Sequence, residues 1–276
     1  MTTIRELLAT ASLPGESGRL DAELLLCHCL GKTRSFLYSR PEQELESTVR
    51  ERFVQMLEAR REGQSIAYLT GRREFWSLDL AVDEHTLIPR ADTETLVAWA
   101  LELPVPGNAR VADWGTGSGA IALALASERP AWQILASDIS AGALLTAAAN
   151  ARRLGLDNIG FLCASWGASQ APASLDLLVS NPPYIAADDP HLGEGDLRFE
   201  PQSALQSGVD GLDAIRRITS SAPDCLRAGG WLLCEHGHDQ GQAVRELLQS
   251  AGFQSIASRR DLAGHERVSG GRVSGE

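Results

Sequence analysis

The chain has no run of 18 or more apolar residues, which excludes an ordinary membrane-spanning helix. Its opening, Met1-Thr2-Thr3-Ile4-Arg5-Glu6, lacks the long apolar core of a secretory signal, so the expected location is the cytoplasm. Cysteine is sparse: Cys27, Cys29, Cys163, Cys225 and Cys234 are an odd set dispersed over 276 residues, and three sit in apolar segments. That pattern excludes a disulfide framework and points to reduced thiols. Cys27-His28-Cys29 has no second ligand pair, and alternate positions on a helix face different ways, so no metal site is expected. Gly-Lys-Ser and Gly-Lys-Thr are both missing, which excludes a P-loop. Basic excess is missing too. The net charge is -11, and residues 1–75 hold 11 basic and 11 acidic side chains, leaving 14 basic against 25 acidic in the remainder. Nucleic acid is gripped mainly through its phosphates, so an acidic body argues against a long nucleic acid as principal ligand. There is no internal repeat or low-complexity tract.

What is present divides in two, as 276 residues allow. Residues 1–70 carry helical periodicity: Ile4, Leu7 and Leu8, then Leu20 to Leu30 closed by Gly31, then Val49, Phe53, Met56 and Leu57. They predict a small helical domain, with Glu23 breaking an otherwise apolar face. Residues 71–88 predict a β-hairpin linker, because Trp76, Leu78, Leu80 and Val82 alternate before the turn-forming Asp83-Glu84. Pro89 stops the extended segment, and Asp92 is placed to cap a helix bearing Leu96, Val97, Ala100 and Leu101. Residues 89–276 then alternate short apolar runs with helical stretches. The runs are 111–114, 134–137, 161–164, 175–180, 231–234 and 255–258. This rhythm predicts an α/β domain with a mostly parallel, Rossmann-like sheet. Gly270, Gly271 and Gly275 dilute the last segment, so a strand over 267–273 is expected to be irregular or at the sheet edge.

The run ending in Asp113-Trp114 passes straight into Gly115-Thr116-Gly117-Ser118-Gly119 and then good helix formers. Such a loop bares backbone N–H groups and a helix N-terminus to a nucleotide-type ligand. Asp138, ending the next strand, can accept both hydroxyls of an adenosine ribose, whereas Asp113 is placed to orient the loop or meet a ligand ammonium. Gly115, Gly117 and Ala120 also fit loose dinucleotide spacing, so a nicotinamide cofactor remains a rival at this point.

Asn181-Pro182-Pro183-Tyr184 follows the buried run 175–180, at the sheet edge where open α/β folds bind ligands. Two prolines fix the turn and remove N–H groups. The Asn181 side-chain oxygen and the Pro182 carbonyl would accept both hydrogens of an amide or exocyclic amine, with Tyr184 as a flat wall. Methyl transfer to such a nitrogen requires its lone pair to be aimed in line, and two acceptors would also stabilise developing positive charge.

These segments together resemble the bacterial release factor glutamine methyltransferases, over nearly the whole chain. The resemblance is carried by Leu20-Asp21-Ala22-Glu23, Ala67-Tyr68-Leu69-Thr70-Gly71, Glu74-Phe75-Trp76, Leu87-Ile88-Pro89-Arg90 and Asp92-Thr93-Glu94-Thr95. It continues in Asp113 to Gly119, Asn181 to Tyr184, Phe199-Glu200-Pro201, Ala204-Leu205, Gly208, Asp210-Gly211-Leu212 and Glu235-His236-Gly237. It implies S-adenosyl-L-methionine as cofactor and S-adenosyl-L-homocysteine as product. The implied substrate is the side-chain amide nitrogen of the Gly-Gly-Gln glutamine in class I peptide-chain release factors, with the helical domain engaging the factor. By the same implication Asp113, Gly115, Thr116, Gly117, Ser118, Gly119, Asp138, Trp166 and Asn181 meet the cofactor. Asn181, Pro182, Pro183 and Tyr184 hold the glutamine. No metal, membrane or direct nucleic-acid substrate is expected, and a monomer is. Adenine N6-methylation of DNA or RNA is the alternative, since Asn-Pro-Pro-Tyr also serves that chemistry. A non-catalytic docking protein with an occluded pocket is a third class. Three residues depart from the family pattern: Ala91, Trp114 and Ser165 replace a proline, a leucine and an aspartate. Loss of the acid at Ser165 predicts weaker cofactor binding without a change of reaction.

Overall fold

A computed structural model describes residues 2–14, 17–168, 170–193 and 195–275. It comprises two compact units, residues 2–72 with 195–199, and residues 73–193 with 200–275.

In the first unit, strand β1 (Thr2–Thr3) leads into helices α1 (Ile4–Thr10), α2 (Gly18–Leu30) and α3 (Arg34–Ser39). Strand β2 (Glu44–Leu45) and helices α4 (Ser47–Arg61) and α5 (Ile66–Thr70) follow, with β2 antiparallel to β1. A reciprocal cap starts α1: the Glu6 N–H donates to Thr3 Oγ1 at 3.2 Å while the Thr3 N–H donates to Glu6 Oε2 at 2.9 Å. The periodic residues form one core of Ile4, Leu7, Leu8, Leu25, Leu26, Phe53, Met56 and Leu57. Glu23, the break in the apolar face, is buried with Arg19, Arg34 and the Tyr38 hydroxyl donating to its carboxylate. A buried charge needs such partners. Among the described residues no cluster of metal-ligating side chains forms.

The second unit opens with the hairpin of β3 (Arg72–Phe75) and β4 (Leu78–Ala81). Its two-residue turn is Trp76-Ser77, both with positive φ (51° and 58°), so Trp76 leaves the alternating strand predicted for it. The Trp76 backbone N–H donates to Glu94 Oε1 at 2.9 Å and its indole N–H to Glu128 Oε1 at 2.8 Å, while Phe75 takes the buried position. Asp83 to Thr86 form a further turn. Asp92 does not cap helix α6 (Glu94–Glu102): a single 3-10 turn, Ala91–Thr93, precedes the helix, and the Asp92 carboxylate pairs with Arg267 at 3.3 Å.

Beyond α6 come β5 (Arg110–Trp114), α7 (Ala120–Glu128), β6 (Gln133–Asp138), α8 (Ala141–Leu154), β7 (Ile159–Cys163) and β8 (Leu175–Ser180). The chain then passes through α9 (Asp213–Cys225), β9 (Leu226–Glu235), α10 (Gly241–Ser250), β10 (Gln254–Arg260) and β11 (Glu266–Arg272). The seven strands from β5 onward lie in the order β10-β11-β9-β8-β5-β6-β7, and β11 alone runs against its neighbours. A dinucleotide-binding sheet has six parallel strands in a comparable order. The reversed strand inserted between β9 and β10 departs from that pattern.

β11 is interior to the sheet, which overturns the expectation of an edge strand, while its pairing with β10 is irregular, with register shifts between Gln254 and Ala257 and between Arg259 and Arg260. Its glycines serve close packing: a Cβ on Gly270 would lie 2.4 Å from the Leu233 side chain and 2.6 Å from the Leu232 carbonyl oxygen. Gly270→Ala is therefore expected to destabilise the fold by about 1–3 kcal/mol through overpacking, read as a lower midpoint in urea unfolding with an unchanged slope.

Candidate active site

Strands β5, β6, β7 and β8 all present their carboxyl ends to one edge of the sheet, and the residues singled out by sequence lie there. In the glycine loop, Gly115, Gly117 and Gly119 all have positive φ (75°, 55° and 86°), a backbone that side-chain-bearing residues adopt only with strain. The N–H groups of Gly115 and Thr116 donate to the Ser137 carbonyl at 2.8 and 2.9 Å, which ties the loop to the end of β6.

Asp138 joins the same framework. Its Oδ2 accepts from the Gly117 N–H at 2.9 Å and its Oδ1 from the Ser140 N–H at 2.8 Å, and each oxygen keeps acceptor capacity for a further donor. Asp113 is fully buried beneath the loop, with the Thr116 hydroxyl donating to Oδ2 at 2.6 Å. It orients the loop and is not on the cavity wall. Burial pushes its carboxyl up to about 7, against the opposing Thr116 hydrogen bond, with Asp138 raising it further. The folded state thus holds a proton that the unfolded chain releases near pH 4, so this group favours folding less and less as pH rises from about 4 to 7. Asp113→Asn should flatten that part of the stability profile, measured by thermal unfolding between pH 5 and 8 without cofactor. An undiminished fall in the variant would remove Asp113 as its source.

A cavity of about 310 Å3 opens against the loop. Gly115, Thr116, Gly117 and Ser118 form one side, Asp138, Ser165 and Trp166 a second, and Asn181 with Pro183 a third. The Trp166 ring approaches Gly115 so closely that a Cβ there would stand 3.4 Å away. Gly119, Pro182 and Tyr184 are not on the wall. Pro182 is buried, and the Tyr184 ring packs with the apolar cluster between the sheet and α9, its hydroxyl near Glu235. Trp114 belongs to that same cluster, against Gly167, so its departure from the family pattern concerns packing.

Asn181 has the most informative surroundings. Its Nδ2 donates to the Thr93 hydroxyl at 3.2 Å, whereas its Oδ1 is buried without a partner among the described residues. An unpaired buried amide oxygen costs roughly 1–3 kcal/mol, so it marks a place where a ligand donor is missing. Sequence reasoning overlooked Thr93, which lines the cavity, and Glu200. The buried Glu200 carboxylate accepts from the Ile88 N–H at 3.0 Å and pairs with Arg90, joining the wall segments around Leu87–Pro89 and Pro201–Ala204. Both residues were in the motifs; their partners lie too far along the chain for spacing to show them.

The sheet with its reversed seventh strand, the glycine loop, the strand-end Asp138 and the Asn-Pro-Pro-Tyr turn together define an S-adenosylmethionine-dependent methyltransferase. Residues 2–71 match the family described as PrmC N-terminal domain and residues 93–193 that described as Methyltransferase small domain. A release factor glutamine methyltransferase of Xylella fastidiosa is 53% identical, the match covering 93% of this chain and 94% of the relative. That of Pseudomonas aeruginosa is 51% identical over 99% of each. The solved ribosomal protein L11 methylase of Lactobacillus delbrueckii shares the fold, with a TM-score of 0.51 and 21% identity, covering 70% of this chain and 84% of that one. The chain belongs to the release factor glutamine methyltransferase family. Among the described residues no helix is long and apolar enough to cross a membrane.

Proposed function

We propose that this enzyme transfers the methyl group of S-adenosylmethionine to the side-chain amide nitrogen of the Gly-Gly-Gln glutamine in class I release factors, and that Asn181 is its central catalytic residue. The observation that carries the site assignment is the Asn181 amide: its nitrogen is committed to Thr93, leaving Oδ1 as an unpaired acceptor at the cavity. A primary amide supplies the missing donor. Asn181 Oδ1 takes one of its hydrogens, which aims the nitrogen lone pair. That acceptor gains strength as positive charge grows on nitrogen, so it favours the transition state over the ground state.

The residues present fit the cofactor. The cavity has the size of a small-molecule site, Asp138 keeps lone pairs for ribose hydroxyls, and Trp166 offers a flat face for adenine. The bound sulfonium would supply an electrophilic methyl group. The described walls of the cavity come from residues of the second unit, and a monomer is proposed as the acting form. Specific recognition of the factor is assigned to the first unit.

The test is incubation with isotopically labelled S-adenosylmethionine, intact release factor, and separate DNA and RNA samples. Label on the Gly-Gly-Gln glutamine, located by peptide mass, is the expected result. Label on adenine would replace this reading with the nucleic-acid one. A further expectation concerns Asp138→Ala, which removes the ribose acceptor and a ligand of the Gly117 N–H together. Its cofactor Kd, read by calorimetric titration, should rise at least about tenfold, the equivalent of about 1.4 kcal/mol.

A further inference from the structure

Behind the Asn181 turn lies a chain of buried polar groups drawn from three distant elements. Thr93, just before α6, is 3% exposed and accepts from Asn181 Nδ2 at 3.2 Å. Glu235, the last residue of β9, is 1% exposed; its carboxyl lies beside the Thr93 and Tyr184 side chains, and its Oε2 is buried without a partner among the described residues. Asp92 and Arg267 are the other charged groups acting on it. A threonine hydroxyl has one proton. Where that proton is given to the Glu235 carboxylate, the Thr93 oxygen can only accept, and the amide beside it must present NH2 and not C=O. The two ends of an asparagine amide are nearly the same size, so packing alone does not select between them.

We propose that Thr93, backed by Glu235, is a positioning residue for methyl transfer: it fixes the orientation of the Asn181 amide so that Oδ1, and not Nδ2, faces the reacting nitrogen. The inference rests on the glutamine-amide reading of the site. Without this backing the amide turns over in part of the population and offers a donor to a substrate that itself donates. Those molecules bind cofactor normally and are poor catalysts. The signature is a loss in kcat with little change in cofactor affinity, confined to enzymes that still carry Asn181.

The experiment uses the full chain, labelled S-adenosylmethionine and intact release factor. Thr93→Val keeps the branched shape and removes the acceptor, Thr93→Ser keeps the hydroxyl, and Glu235→Gln replaces the acceptor behind it with a group that can also donate. Thr93→Val and Glu235→Gln are expected to lower kcat at least about tenfold with cofactor Kd within about threefold, and Thr93→Ser to recover most of the rate. Each change is repeated on an Asn181→Ala background, where it should cost nothing further. Should Thr93→Val fail to fold, Glu235→Gln carries the same double-mutant comparison. Losses that add fully on the Asn181→Ala background would overturn the proposal, as would a serine variant as damaged as the valine one. A wild-type enzyme that leaves glutamine unmethylated would instead overturn the underlying reading of the substrate.

Discussion

Asn181→Ala is expected to lower kcat/KM for methylation of intact release factor by about 10²–10³-fold, the range found when one preorganised transition-state partner is removed. Cofactor Kd should change by no more than a few-fold, because the glycine loop, Asp138 and Trp166 stay in place and the loop is tied to β6 independently of Asn181. The fold should hold as well. Asn181 makes one side-chain hydrogen bond, to Thr93, and its oxygen is already unpaired, so truncation removes an unsatisfied polar atom along with that bond. Asn181→Asp keeps an acceptor of the same shape. It also places a negative charge next to the Thr93 hydroxyl and the Glu235 carboxyl, which burial has already pushed up to about 7. Its expected defect is again in rate, since a charged acceptor grips the ground-state amide as well as the transition state. Single-turnover methylation, with calorimetric titration of the cofactor, checks both variants. Equal single-turnover rates for wild type and Asn181→Ala would remove the catalytic role of Asn181.

The parts of this site that could be read in the sequence are those built from contiguous residues. The glycine loop and the Asn-Pro-Pro-Tyr turn directly follow, and Asp138 ends, a strand whose apolar run is unmistakable, so strand, turn and chemistry arrive in one segment. Thr93 and Glu200 were equally visible as letters, but what they do depends on partners 88 and 112 residues away, Asn181 and Ile88. Periodicity carries no information over such separations. Tyr184 shows the converse difficulty: an aromatic next to a catalytic turn suits either a substrate wall or a core, and tertiary packing chose the core. The hairpin turn was misplaced because Trp76 fits the apolar alternation, while the hydrogen bonds that hold it at positive φ come from Glu94 and Glu128. β11 looked weak because glycine has low strand propensity. Its glycines are required by the side chains of β9 and by Phe253, which leave no room for a Cβ.

Removal of residues 2–72 is expected to leave cofactor binding nearly intact and to lower kcat/KM on intact release factor by more than about tenfold. A Gly-Gly-Gln loop offers little side-chain area beyond the glutamine, so a cavity of about 310 Å3 that must also admit the cofactor meets few groups that distinguish one glutamine from another. Discrimination then has to come from a larger surface. The first unit supplies one with its own core, and the charge of residues 1–75 is balanced where the remainder is strongly acidic. The place of the cut matters. Starting the shortened chain at residue 86 would discard Phe75 and Leu80, which belong to the core of the second unit, and the Ala81 backbone that Asn150 holds on both its N–H and its carbonyl. A start at Arg73 keeps all of these. It separates Asp196 from Arg60, its ion-pair partner within the first unit, so cofactor affinity and thermal unfolding are measured first to show that the second unit is still folded. With those checks satisfied, kcat/KM is compared on intact factor and on a short Gly-Gly-Gln peptide. The peptide should be an equally poor substrate for both chains, because it offers nothing for the first unit to grip. Nearly equal efficiency on intact factor would assign residues 2–72 a purely structural role and move specificity into the cavity walls.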